Sequence, residues 1–261
     1  MGCRRAVRAA GVVVGVAALA GCGGDGWSGS PGGAMAGMDA AEVAFASMEA
    51  MAGADAVRIR YEGREEGRTG EMHLTSGGEC SATMTSDEYG DMEVLQRGDH
   101  MWVGGDGWLA AVSAEVDDEE LVEAARDILQ ERYLHIDLAA EDSAEMDEMA
   151  ALCSLEDLTA APSSPQEDED VTFDGADFFG GTPTVTLSTT TPQGEIVVRV
   201  AAVGEPYPLE ISGEFGRGYE HMEMTYDEPL YFRAPDADQT MEVVAFQREL
   251  MERYFNEPVR S

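Results

Sequence analysis

The chain has 261 residues, and its 52 aspartates and glutamates against 16 arginines and no lysine give a formal net charge of −36 at pH 7. This excess of acid excludes a nucleic-acid-binding surface and repels anionic lipid head groups. Two explanations of the acidity stay open. It is an adaptation to a salty habitat, where screening tolerates dense carboxylates, or it serves a cationic partner or metal ions.

Residues 1–21 have the layout of an export signal, in which three arginines precede a short apolar run over 9–20. That run is too short to span a membrane as a helix. The residues Leu19-Ala20-Gly21-Cys22 resemble the lipobox of bacterial lipoproteins. We therefore expect cleavage before Cys22 and a diacylglyceryl anchor on its thiol, which places the protein on the extracytoplasmic face of the cell membrane. The alternative is an ordinary secretory signal with a chance cysteine.

Residues 22–38 are rich in Gly, Ser, Pro and Ala and predict a flexible, lipidated tether. Asp39 opens a predicted helix that runs to about Gly53. Apolar residues then alternate with polar ones, which predicts short strands with glycine turns between them. These predicted strands cover residues 57–61, 72–75, 80–85, 92–96 and 100–103.

The middle of the chain changes to a helical pattern. Leu121, Ala125, Ile128 and Leu129 form an apolar stripe that predicts a helix over 117–133, and a second helix is predicted over 143–152. Strands return in the second half, near 173 and over 184–188, 195–203, 209–213, 219–226 and 230–232. The segment 236–261 is predicted as a C-terminal helix that follows a capping box at 236–239. This order indicates an α+β domain over 39–235 with one large curved antiparallel sheet.

Two cysteines, Cys80 and Cys153, follow Cys22. An even pair in an exported protein is most simply a disulfide, and two buried free thiols are the alternative. Neither cysteine has the histidine or CxxC neighbours of a zinc or redox site.

Catalytic and metal-binding motifs are missing from the sequence. His73, His100, His135 and His221 form no paired-ligand motif, and neither a nucleophile elbow nor a phosphate loop is present. The acidic stretch 168–175 only faintly resembles a calcium loop, because its ligand positions are incomplete. Trp102 and Trp108 flank a glycine-rich turn and are expected to plug a core or to stand at the mouth of a cavity. We expect no enzymatic activity, no metal and no cofactor.

Several stretches are similar to the LolA-like lipoproteins of actinobacteria, the LppX/LprG-type carriers. In the first half these are Gly77-Gly-Glu-Cys80, residues 94–98, and Met101-Trp-Val103. Later come Leu152-Cys153-Ser-Leu155 and the stretch 204–213. The resemblance covers residues 40–235. The absence of lysine, the acidic stretch 167–170 and the C-terminal helix depart from the family's pattern.

The resemblance implies a half-open β-barrel whose concave face, covered by helices, holds acyl chains of a lipid or glycolipid ligand. The 15 methionines agree with this, since flexible thioethers make adaptable walls. The residues predicted to line the cavity are Met48, Val57, Ile59, Met72, Leu74, Met84, Val198, Met222 and Met224. The alternative is that these side chains fill a closed core and that the protein is an envelope interaction or sensor module.

Overall fold

The computed structural model of the chain describes residues 35–63, 67–87, 90–105, 109, 119–129, 132–140, 150–151, 153–159, 171–192, 194–215 and 218–256. The predicted signal, Cys22 and the acidic stretch 160–170 lie outside these ranges. Most of the predicted helix 143–152 does so too. Among the described residues, no helix is both long enough and apolar enough to cross a bilayer.

Four helices are described. Their bounds are Ala40–Ala52 (α1), Glu119–Leu129 (α2), Leu155–Thr159 (α3) and Val243–Asn256 (α4). In α1, the Glu42 amide donates to Asp39 Oδ1 and the Asp39 amide donates to Glu42 Oε2, both at 2.9 Å. This capping box fixes where the helix begins, and Gly53 follows its last residue.

Twelve described strands form a single sheet. The first six are Ala56–Gly63 (β1), Arg68–Thr75 (β2), Glu79–Ser86 (β3), Gly90–Arg97 (β4), His100–Gly104 (β5) and Tyr133–Asp137 (β6). The other six are Thr172–Phe179 (β7), Thr182–Thr191 (β8), Gly194–Ala201 (β9), Pro208–Phe215 (β10), Gly218–Tyr226 (β11) and Thr240–Glu242 (β12).

The strand order is β12-β6-β5-β4-β3-β2-β1-β11-β10-β9-β8-β7. Every pairing is antiparallel except the parallel pairing of β12 with β6. The register aligns the predicted apolar rows, so that Ile59 lies between Met72 on β2 and Met224 on β11. The predicted α+β fold with one large antiparallel sheet and helices on one face is confirmed.

The helix-covered side of the sheet, called the inner face below, carries two separate apolar clusters. The larger one joins β1–β6 and β11 to α2 and α4 and includes Val57, Leu74, Met101, Ile128 and Phe246. The smaller one packs the start of α1 on β8 and β9. The disulfide between Cys80 and Cys153 lies inside the larger cluster and links β3 to the turn before α3.

Three sequence predictions of secondary structure are wrong. Helix α2 ends at Leu129, and residues 133–137 form β6 because Leu134 and Ile136 alternate onto the inner face beside Val103 and Met101. Residues 230–232 join no strand pairing. The C-terminal segment is not one helix: the capping box at 236–239 opens a single 3-10 turn, then β12 extends the sheet, and α4 begins only at Val243.

The segment from the end of β11 through that turn, residues 227–239, crosses the outer face of the sheet, and we call it the outer strap. His73 contacts the Glu228 carbonyl at 2.8 Å, and Arg58 pairs with the Glu228 carboxylate at 3.1 Å. Farther along, the Phe232 ring lies 4.2 Å from the Arg97 guanidinium. The C-terminal region thus passes over one face, joins the edge as β12, and covers the other face as α4.

Candidate ligand site

A cavity lies at the rim of the sheet, where β3, β4 and β5 meet the end of α2. Its volume is about 780 Å³. Its lining residues come from both faces of the sheet, which places it around the strand ends rather than over the middle of the inner face. We call it the rim cavity, and its lining residues are Thr83, Met84, Thr85, Asp91, Met92, Glu93, Val103, Gly104, Gly105, Leu109, Arg126, Leu129, Arg132 and Tyr133.

One wall of the rim cavity is apolar. Strand alternation turns Met84, Met92 and Val103 to the inner face, where the three side chains occupy neighbouring strands. Leu109 and Leu129 complete this wall, and both are also members of the larger core cluster. The wall is therefore the exposed end of the core, and it continues the core's apolar surface to solvent.

The opposite wall is polar and internally bonded. The Tyr133 hydroxyl donates to Glu93 at 2.5 Å, reaching from β6 across β5 to β4. This path needs a glycine at position 104, since a Cβ there would stand 2.8 Å from the Tyr133 ring. Burial, together with the hydrogen bond to Glu93, raises the pKa of Tyr133 to about 12. Thr85 donates to Asp91 at 2.8 Å, so both carboxylates of this wall have a neutral hydroxyl donor.

The nine residues predicted to line one cavity lie in different parts of the structure. Met84 alone among them lines the rim cavity. Val57, Leu74 and Met224 are buried in the larger cluster, and Ile59, Met72 and Met222 pack against it. Val198 packs against the smaller cluster, and Met48 is half-buried on α1. Whether any of them contacts a ligand stays a prediction.

The sequence pattern missed most of the rim cavity. Met92 and Val103 carried a signal, because they alternate with polar neighbours on predicted strands. Arg126, Arg132 and Tyr133 carried none, since they were assigned to the exposed and C-terminal parts of a helix. Residue 133 in fact begins a strand.

The four histidines lie on the outer face. His135 bonds Glu242 at 2.8 Å and His100 at 3.2 Å, and its ring stacks on Trp102 at 5.4 Å between centroids. Trp102 thus neither plugs the inner core nor stands at the rim cavity, and Trp108 is outside the described residues. Within the described ranges, no group of three or more His, Cys, Asp or Glu side chains is arranged to hold a metal ion.

Solved structures to which the chain is similar include LppX, a lipoprotein of Mycobacterium tuberculosis, which is 13% identical at a TM-score of 0.44 over 73% of this chain and 96% of its own. LprF of Mycobacterium bovis is 13% identical, with a TM-score of 0.49, over 76% of this chain and 97% of its own. A LolA superfamily protein of Nitrosomonas europaea is 11% identical, with a TM-score of 0.23, over 78% of this chain and 98% of its own. No protein-family model and no curated protein matches the chain. The architecture that the sequence resemblance implied, one large open antiparallel sheet with helices on one face, is the architecture of this chain.

Proposed function

We propose that the protein is a non-catalytic lipoprotein that binds an apolar lipid or glycolipid-like ligand in the rim cavity, for transport or presentation. The observation that carries the proposal is the 780 Å³ cavity with its wall of methionine, valine and leucine. Small-molecule sites occupy about 300–1,000 Å³, so this volume suits one acyl chain or a small apolar molecule. An apolar wall continuous with the core gives hydrocarbon a surface that water does not solvate well.

The proposal includes an anchor at Cys22 outside the cell membrane, with residues 22–38 as the tether. A flexible linker of this length keeps the domain about 20–25 Å from the bilayer, within reach of lipid. Mass spectrometry of the membrane fraction tests the anchor. We expect an N-terminal peptide that begins at Cys22 and carries a diacylglyceryl group, and we expect the Cys22→Ser variant to lack it. An unmodified Cys22 in the wild-type protein contradicts the anchor.

A second function has its own supporting observation. Most of the predicted cavity residues fill the core, as an interaction or sensor module with a closed core requires. The exposed apolar residues of the chain include Val244 and Met251 on α4, which are 73% and 52% exposed. They could contact a partner. Under this alternative, substitutions on the exposed side of α4 weaken partner binding, while changes in the rim cavity have no effect.

Filling the rim cavity separates the two functions. We expect the purified protein to bind the neutral apolar fluorophore N-phenyl-1-naphthylamine, and the Met84→Trp variant to bind it at least tenfold more weakly because the indole occupies the cavity. Met48→Trp is the matched control, since Met48 is also half-buried but lies on α1. We expect it to bind as the wild type does.

Lipid that copurifies without detergent gives a second readout by mass spectrometry. The proposal is wrong if the wild type binds no probe and carries no lipid. If the Met84→Trp variant binds the probe as strongly as the wild type does, the ligand does not bind in the rim cavity. Thermal unfolding of both tryptophan variants shows that any loss of binding is not a loss of fold.

A further inference from the structure

Two arginines line the rim cavity on the side of α2. Arg126 lies in the last turn of α2, and Arg132 follows three residues after the helix ends. Both are exposed, and both border the same space as the apolar wall of Met84, Met92 and Leu129. The rim cavity therefore has two arginines beside a hydrocarbon surface, an arrangement that suits an amphiphile.

The cavity's two described acids, Asp91 and Glu93, keep their negative charges, but their hydrogen bonds run to hydroxyls of the sheet and not to the arginines. Asp91 accepts from Thr85, and Glu93 accepts from Tyr133, so both carboxylates are bonded on the strand side. Among the described residues, Arg132 takes part in no ion pair. Arginine recognises carboxylate and phosphate through parallel N–H donors, and these charge-assisted hydrogen bonds are about twice as strong as neutral ones.

We propose that the rim cavity selects amphiphiles with an anionic head group, a carboxylate or a phosphate, which contacts Arg132 and Arg126 while the apolar chain lies on Met84, Met92 and Leu129. The inference rests on the proposed function and adds the class of ligand to it. It also gives a role to two cations in a chain that has very few.

The net charge of −36 opposes the approach of an anion, but this opposition acts mainly at long range. At physiological ionic strength, charges more than about 8 Å apart in solvent are largely screened. Contacts inside a partly enclosed cavity are screened much less. Local arginines therefore decide which head group is held once a ligand has reached the rim.

An arginine near the C-terminal end of a helix also stabilises the helix, because its positive charge interacts favourably with the helix dipole. This role alone would explain Arg126. The test therefore needs a readout that helix stability does not move. The preference for a free carboxylate over its methyl ester is such a readout, because the two probes share the same chain and differ only in head-group charge.

Fluorescence titration with 11-(dansylamino)undecanoic acid and its methyl ester supplies the measurement. We expect the wild-type protein to bind the acid about tenfold more tightly than the ester, the size of a charge-assisted contact. The double variant Arg126→Gln/Arg132→Gln should lose this preference through weaker binding of the acid and unchanged binding of the ester. The Arg132→Lys variant should keep part of it.

The matched control is Arg248→Gln, because Arg248 is an arginine of α4 that does not line the rim cavity. We expect it to keep the wild-type preference. Competition by dodecanoate and by dodecyl phosphate shows whether carboxylate or phosphate is the better head group.

Equal binding of acid and ester by the wild-type protein overturns the inference and leaves the proposed function standing. The same holds if the double variant weakens both probes equally, or if Arg248→Gln removes the preference as well. Failure of the wild type to bind either probe overturns the proposed function and the inference together.

Discussion

The middle of the inner face and its rim are built from the same alternating apolar strands, yet one is closed and the other open. In the middle, residues such as Leu74 and Met101 are fully buried beneath α2, α4 and the disulfide. At the rim, Met84 and Met92 pair across β3 and β4 on the same inner face but border a 780 Å³ cavity. The position of the cavity therefore depends on where the covering helices end, and not on the apolar pattern of the strands.

The rim is open because the strand and the helix that border it, β5 and α2, end there. Strand β5 stops at Gly104, and α2 stops at Leu129. Gly105 follows with a positive φ of 90°, and a Cβ there would stand 2.2 Å from the Asp91 carbonyl oxygen. Only a glycine fits this close approach, so the chain leaves β5 past the start of β4. Beyond these ends, no strand or helix of the described residues continues over the space.

The largest expected effect comes from a change in the closed middle. Met101→Ala removes a fully buried side chain, and we expect it to lower the free energy of unfolding by about 2–5 kcal/mol through lost burial and a residual cavity. Met251→Ala is the matched control, since its side chain is 52% exposed and should change stability by less than about 0.5 kcal/mol. Urea unfolding measures both.

We also expect Met101→Ala to leave the binding of N-phenyl-1-naphthylamine unchanged when it is measured under conditions where the variant is folded. A loss of binding without unfolding would mean that the middle also holds ligand. Equal costs for Met101→Ala and Met251→Ala would mean that the middle is not closed.

A smaller effect is expected at the rim with pH. Because burial and the bond to Glu93 raise the Tyr133 pKa from 10 to about 12, the folded state holds this proton more tightly than the unfolded state does. The associated stability is complete below about pH 10 and is lost as the pH rises through 12. We expect the urea midpoint of the wild type to fall between pH 9 and 11.5 by more than that of Tyr133→Phe.

Tyr207 and Tyr226 also have raised pKa values through burial, and they contribute equally to both proteins. The difference between wild type and Tyr133→Phe therefore isolates Tyr133. Identical pH profiles would show that the polar wall of the rim cavity is more open to water than its hydrogen bond to Glu93 indicates.

Sequence patterning predicted the elements whose signal is local. Asp39 located the start of α1, and alternation located most of the antiparallel strands. It failed where tertiary contacts decide: β12 is three residues long and is a strand only because β6 lies beside it. Residues 230–232 alternate like a strand but lie in the outer strap, where Phe232 packs on Trp102.

The candidate site was less predictable than the fold for the same reason. A methionine at a strand position is apolar in either setting, and the sequence does not say whether a helix ends above it. Of the nine predicted residues, Met84 lines the rim cavity while Leu74 is buried in the larger cluster, and this separation depends on where α2 and β5 stop.

We propose that ligand enters at the rim and not between the sheet and the helices. The most direct test is NMR of ¹³C-methyl-methionine protein titrated with 16-doxylstearic acid, whose nitroxide broadens nearby methyl signals. We predict that Met84 and Met92 lose their signals first and saturably, while the buried Met224 and Met35 keep theirs. Equal broadening of Met224 and Met84, or no saturable broadening at all, would contradict the account.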